Sequence, residues 1–118
     1  MPSDSPILLL GSSSQDIVGR LESDLQPGTS NPARIRTSYG GVARNVAENL
    51  ARLGQPVKLI SVVGRDRRGD ELLEYTAAAG VDVSAVLRTD LYPTGFYMGV
   101  LDPRARLRFA VDDMRVMS

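Results

Sequence analysis

The stretch from Ser38 to Gly54, SYGGVARNVAENLARLG, constrains the chain more than any other. Two adjacent glycines, Gly40 and Gly41, stand at the mouth of a segment with helical periodicity. On a helical wheel Val42, Ala43, Val46, Ala47, Leu50, Ala51 and Leu53 cover one half. Arg44, Asn45, Glu48, Asn49 and Arg52 cover the other. Glu48 and Arg52 stand four apart in the order that favours an ion pair. Gly54 and Pro56 stop the helix. A helix with one apolar side needs a partner layer.

The flanking segments hold two strand populations. Ile7 to Leu10 is a short apolar run stopped by Gly11, and reads as a buried strand. Val57 to Val63 is mostly apolar on both sides, as a central parallel strand is. Gly64-Arg65-Asp66 turns into a second helix, about 67–79, with Asp66 as its N-cap and Gly80 as its stop. Val81 to Val86 has room for a short edge strand. The order strand, helix, strand, helix predicts a parallel sheet. The other segments are half polar. Apolar residues fall at Ile17, Leu21 and Leu25, and Ile35, Thr37 and Tyr39 alternate with Arg34, Arg36 and Ser38. Phe96, Met98 and Val100 alternate with Tyr97, Gly99 and Leu101. After a turn at Asp102-Pro103-Arg104, Leu107, Phe109 and Val111 alternate with Arg106, Arg108 and Ala110. These four strands predict a separate small sheet with one apolar face and no helix assigned to cover it. The fold class is α/β.

Composition excludes several kinds of chemistry. The 118 residues contain no Cys and no His, which removes thiol nucleophiles, the usual zinc sites and His-dependent triads. Carboxylates, Arg and Lys, hydroxyls, backbone dipoles and a borrowed metal remain. Lys and Arg number 14, as do Asp and Glu, so the net charge of zero gives no reason to expect nucleic acid or an anionic membrane as partner. The apolar run near the start is too short to span a bilayer and has no basic leader, so a cytoplasmic location is expected.

The spacings together resemble a known family. Gly40-Gly41 with Asn45, Gly54, the following strand, and Val63-Gly64-Arg65-Asp66 with Gly69 look like the N-terminal signature of the ribokinase-like (PfkB) carbohydrate and nucleoside kinases. Gly11 with Asp16, Gly80-Val81-Asp82, Pro93-Thr94-Gly95 and Asp112-Asp113-Met114 extend the likeness over nearly the whole chain. SNPARI, GGVARNVAENLARLG and DDM look most like the pseudouridine kinases. The resemblance implies a partial Rossmann-type parallel sheet with flanking helices, core segments at about 6–11 and 40–90, and a small β-sheet lid at about 15–39 and 92–113. All of residues 1–118 then form one N-terminal segment of a ribokinase-like domain. It implies ATP-dependent phosphorylation of a primary hydroxyl, with Mg²⁺, on a sugar or nucleoside. It also implies a homodimer through the lid strands.

By the same resemblance Asp16, Gly40, Gly41 and Asn45 grip the sugar, and Thr94, Phe96 and Asp113 cover it from the lid. The residue chemistry agrees. Glycines let a ligand approach the backbone closely, and the first N–H groups of a helix are unpaired. An ionised Asp16 accepts from hydroxyls, and Asn45 can both donate and accept. The plain reading is that the glycines serve only a tight turn and that Asn45 is merely solvated on a polar helix face. Phe96 and Phe109 read as lid packing rather than a base-stacking platform, and Arg104, Arg106 and Arg108 as a solvated strand face.

Three look-alikes fail. Gly64 to Gly69 has the glycine spacing of a Walker loop, but Asp70-Glu71 stands where Lys-Ser/Thr is needed. Arg68-Gly69-Asp70 spells an adhesion tripeptide inside a predicted helix start. Asn45-Val46-Ala47-Glu48 matches an N-x-x-E motif that the family carries much later in its chain. The family's Gly-Ala-Gly-Asp stretch, with its general base and anion hole, has no counterpart in these residues, and its nucleotide pocket is expected outside them. No catalytic residue and no tightly held cofactor is therefore expected here. Val42 stands where ribokinases proper have Lys, which favours a nucleoside-like acceptor over simple ribose. The alternative is a non-catalytic module that binds a small polyol or only dimerises.

Overall fold

A computed structural model describes residues 4–118, so the first three residues of the expected domain lie outside the described ones. The strands are β1 (Ile7–Leu10), β2 (Ser14–Leu21), β3 (Ala33–Gly40), β4 (Val57–Ile60), β5 (Val62–Gly64), β6 (Leu87–Thr89), β7 (Phe96–Leu101) and β8 (Leu107–Asp113). The helices are α1 (Val42–Arg52) and α2 (Arg67–Ala78), and a short 3-10 turn closes the chain at Arg115–Met117. The α/β class and both strand populations are observed.

The parallel layer pairs β1 with β4 and β5 with β6. Helix α1 lies on one face of the first pair. Ala43, Ala47, Val57, Leu59 and Val81 are buried there, with Leu9, Leu50 and Val83 packed around them. The four-stranded lid has the order β3-β2-β7-β8, with β2 and β7 parallel and the other pairs antiparallel. Standing off the core, it draws the molecule out to 52 × 36 × 20 Å.

Four sequence expectations are corrected. Val57 to Val63 is not one strand: it breaks at Ser61, whose hydroxyl donates to Gly11 O at 2.6 Å and bonds the Ser13 hydroxyl at 2.8 Å. A serine tied sideways to the first loop lets the chain change partner, from β1 before it to β6 after it. The edge strand expected at 81–86 forms instead at Leu87–Thr89, and Asp82 makes only an isolated bridge to Lys58. The run at β1 is not buried, since Leu8 is 61% and Leu10 79% exposed. One face of β1 has no covering layer among the described residues.

The fourth correction concerns α2, which packs on the lid as well as on β5. Tyr75 stacks on Tyr39 of β3 at 4.8 Å, and the Arg68 guanidinium lies 4.3 Å from the Phe96 ring centroid. The root of the lid's apolar face is therefore covered. Its outer part is open: Ile35, Met98, Phe109 and Val111 are all exposed.

Candidate functional site

The two glycines do different work. Gly40 ends β3, and a Cβ there would fall on the Asp16 carboxylate. Asp16 is the neighbour of Ser38 across the β2–β3 ladder. The missing side chain at Gly40 thus leaves room for that carboxylate. Gly41 has φ 90° and ψ 134°, a conformation that only glycine adopts readily. A Cβ on it would strike the Ser12 carbonyl and lie 2.8 Å from the Ser13 Cα. The loop after β1 and the start of α1 therefore touch backbone to backbone. Ser12 uses that closeness, and takes the N–H of Val42 on its hydroxyl and the N–H of Arg44 on its carbonyl, each at 3.3 Å. Two N–H groups expected to be free are accordingly occupied.

Arg44 overturns its place on the polar half of the wheel. It is only 2% exposed. Its guanidinium donates to Gly40 O at 3.2 Å, Tyr39 O at 3.0 Å and the Thr76 hydroxyl at 3.3 Å, and pairs with Glu48 at 2.9 Å. Burial pushes the Glu48 carboxyl up, but hydrogen bonds from Arg52 and Arg44 outweigh it and hold the group below its ordinary value. A planar fork with five donors suits such a junction of β3, α1 and α2. It also fixes the Gly40 carbonyl beside the site. Arg44 donates to Asn45 Oδ1 as well, at 2.7 Å. The Asn45 amide nitrogen is left to donate, so the side chain is a donor here more than an acceptor. Asn45 itself is exposed, one turn along α1.

The cleft opens between the glycine turn and the lid. Ser14, Asp16, Gly41, Tyr97, Asp112 and Met114 line a cavity of about 270 Å³. Ser14 donates to Asp16 Oδ1 at 2.8 Å, which steadies the carboxylate. In the ladder Asp16 stands beside Tyr97, and Tyr97 beside Asp112, so the three share one lid face.

This arrangement can be set against known proteins. The model of the pfkB family carbohydrate kinases matches residues 5–116. The chain belongs to the PfkB family. It is 36% identical over 110 residues to the pseudouridine kinase of Escherichia coli (strain K12), covering 93% of this chain and 35% of that protein. A carbohydrate kinase from Agrobacterium tumefaciens superposes with TM-score 0.82 at 33% identity, over 92% of this chain and 35% of that one. A ribokinase from Cryptococcus neoformans var. grubii serotype A, solved in complex with ADP, gives TM-score 0.76 at 24% identity, over 93% of this chain and 35% of that one. The chain thus spans about a third of the length of these relatives.

For a PfkB chain, the lid residues expected to cover the acceptor are placed unevenly. Asp16 and Gly41 meet in the cleft with Gly40 behind them. Thr94 does not reach it. It is fully buried, its hydroxyl donating to Asp66 at 2.6 Å while accepting from Gly64 N at 3.0 Å. Phe96 and Asp113 are cross-strand partners on the opposite, apolar face of the lid. Arg68 lies over Phe96. Arg115 grips Asp113 through two bonds of 2.8 and 2.7 Å and holds its carboxyl down at about 2. Tyr97 and Asp112 take the cleft positions instead. The alternation already implied this: Phe96 shares the apolar phase of Met98 and Val100, whereas Asp16 lies out of phase with Ile17.

PfkB kinases use ATP. No group of three or more acidic, His or Cys residues among the described ones could hold a metal ion. At the start of α2 the Gly69 N–H donates to the Asp66 side chain at 2.8 Å, so that helix end is capped from within. No helix among the described residues is long and apolar enough to cross a membrane.

Proposed function

We propose that this chain is the acceptor-binding and lid portion of a PfkB kinase that transfers a phosphoryl group from ATP to a primary hydroxyl, with pseudouridine as the best-suited acceptor. The observation that carries the reading is the Asp16 carboxylate lying in the space above Gly40, steadied by Ser14 and lining one cavity with Gly41. An ionised carboxylate accepts from two neighbouring hydroxyls at once, as a ribosyl diol presents them. Gly41 lines the same cavity and lets the loop after β1 pack against the start of α1 beside it. Asn45 would donate its amide N–H to a further hydroxyl. Asp16 holds the acceptor's other hydroxyls in this reading and is not the base for the one that reacts. The general base, the anion hole and Mg²⁺ belong to segments outside residues 1–118. When bound, ATP-Mg²⁺ supplies the phosphoryl group and neutralises its charge. The likeness to the pseudouridine kinase and the Val42 substitution support a nucleoside acceptor.

The core at 6–11 and 40–90 would hold the sugar, and the lid at 15–39 and 92–113 would close over it. The lid's open apolar face, with Ile35 at 72% and Val111 at 58% exposed, supports pairing with the lid of a second copy. A cytoplasmic location is part of the same reading.

A coupled ADP-release assay with pseudouridine, ribose, fructose and adenosine tests the assignment. The 118-residue chain alone should turn over none of them above about 0.1 per second, near the low end of ordinary enzymes. The protein as its gene encodes it in full should phosphorylate pseudouridine. Full-length protein without activity on any acceptor would favour the non-catalytic module.

A further inference from the structure

Among the described residues Tyr97 is the one aromatic side chain on the cleft face of the lid. Tyr39, Phe96 and Phe109 lie on the other face, in phase with Ile17, Met98 and Val111. The Tyr97 side chain leans along β7 over Gly99. A Cβ built on Gly99 would lie 3.0 Å from both Tyr97 Cε1 and its hydroxyl oxygen, and 3.3 Å from Cζ. Gly99 is therefore buried beneath the phenol although it belongs to the open face. Its ladder neighbours on that face, Val18 and Ala110, are small, so nothing bulky stands beside the ring. The Cε1 and hydroxyl edge of the ring rests on Gly99, and the ring lines the cleft together with Asp16 and Asp112. No hydrogen bond and no ring–ring or cation contact engages the Tyr97 side chain among the described residues.

Asp112 is the ladder partner of Tyr97 on β8, on the side away from Asp16, and lines the same cavity. Its carboxylate has neither hydrogen bond nor ion pair among the described residues. Its neighbour Asp113, in contrast, is held by Arg115. A bare carboxylate and an unengaged aromatic ring in one cavity are matched by a planar ring that carries N–H groups on its edge. A simple sugar has neither a flat face nor an N–H.

We propose that Tyr97, laid over Gly99, is the stacking platform for the planar base of a nucleoside acceptor, and that Asp112 at its edge accepts a ring N–H. The proposal rests on the acceptor reading of the cleft and adds what reads the base. It also orders the acceptors. Uridine has one ring N–H, whereas a C-linked uracil ring has two, because its glycosidic bond leaves both nitrogens free. An acceptor-only group at the ring edge favours the second.

The test is KM and kcat for pseudouridine, uridine and ribose, measured on the protein as its gene encodes it in full. The variants are Tyr97→Ala, Tyr97→Phe, Gly99→Val and Asp112→Asn. Base–aromatic stacking predicts that Tyr97→Ala raises KM for pseudouridine about tenfold and moves ribose far less. Tyr97→Phe should retain most of the affinity. Gly99→Val should lift the ring and imitate Tyr97→Ala, and where it fails to fold the Ala and Phe pair decides. Asp112→Asn should raise KM for pseudouridine more than for uridine. Pseudouridine and ribose affected alike, or a pseudouridine KM unmoved by Tyr97→Ala, would overturn the proposal. Ribose as the sole acceptor would overturn it while leaving the sugar site standing. No phosphorylation of any of the three would overturn the acceptor reading itself, and this proposal with it.

Discussion

Asp66→Ala should cost far more stability than an ordinary surface change, because one carboxylate ties three things together. It caps α2 through Gly69 N at 2.8 Å, receives Thr94 N at 2.9 Å and receives the Thr94 hydroxyl at 2.6 Å. Thr94 is fully buried at the entry to β7, so its two donors would be left without water as well as without a partner. A lost N-cap costs about 1 kcal/mol. A hydrogen bond to a charged group is worth about 1.5–3 kcal/mol. Because bonds on one carboxylate are not independent, the expected loss is about 3–4 kcal/mol rather than the full total. Urea unfolding of the full-length protein measures it. A double-mutant cycle with Thr94→Val should show a coupling above about 1 kcal/mol. Burial raises the Asp66 pKa, but the Thr94 and Gly69 bonds outweigh that and set it below its ordinary value of 3.8. The sign follows from linkage: this stability is fully present above the unfolded pKa and is lost as pH falls through the lower folded value. The gap between wild type and Asp66→Ala should therefore be constant above about pH 5 and shrink in acid. A loss under about 1 kcal/mol, or strict additivity with Thr94→Val, would refute the three-way tie.

Other outcomes follow from the same geometry. Gly41→Ala should destabilise the protein by at least about 1 kcal/mol more than Gly54→Ala in urea unfolding. Both sites have positive φ, but Gly54 has nothing within 4 Å of a new Cβ, whereas Gly41 meets Ser12 and Ser13 backbone. Arg44→Met should cost about 3 kcal/mol or more, since it takes one of its two arginine partners from Glu48 and the guanidinium from the Gly40 and Tyr39 carbonyls, and Arg44→Lys should restore little of it. Light scattering at micromolar concentration should give a dimer mass that Ile35→Asp converts to a monomer, burying about 1,600 Å² in all if the contact is of ordinary size. A wild-type monomer independent of concentration would contradict the lid pairing.

The parts of the fold that local pattern decides could be read from the sequence. Helix α1 was legible because its apolar stripe, the glycine pair before it and Gly54 with Pro56 after it agree. The lid was legible because alternation marks a strand with one wet face. Long-range contacts hid the rest. Arg44 belongs to the polar half of its helix, and only the arrival of α2 and Tyr75 on that side buries it. The break at Ser61 depends on loop partners some fifty residues earlier, Gly11 and Ser13. On the lid, Tyr97 and Asp112 line the cleft, whereas Phe96 and Asp113 share the opposite face. In a strand, a step of one residue changes the face.

The central claim is that the cleft at Asp16 and Gly41 holds the hydroxyls of a ribosyl acceptor. Calorimetric titration of the full-length protein with pseudouridine, wild type against Asp16→Asn, tests it most directly. Asp16→Asn should weaken binding about tenfold or more, the worth of a charge-assisted hydrogen bond to a hydroxyl, with the fold unchanged by circular dichroism. Equal affinity in the two proteins would contradict it.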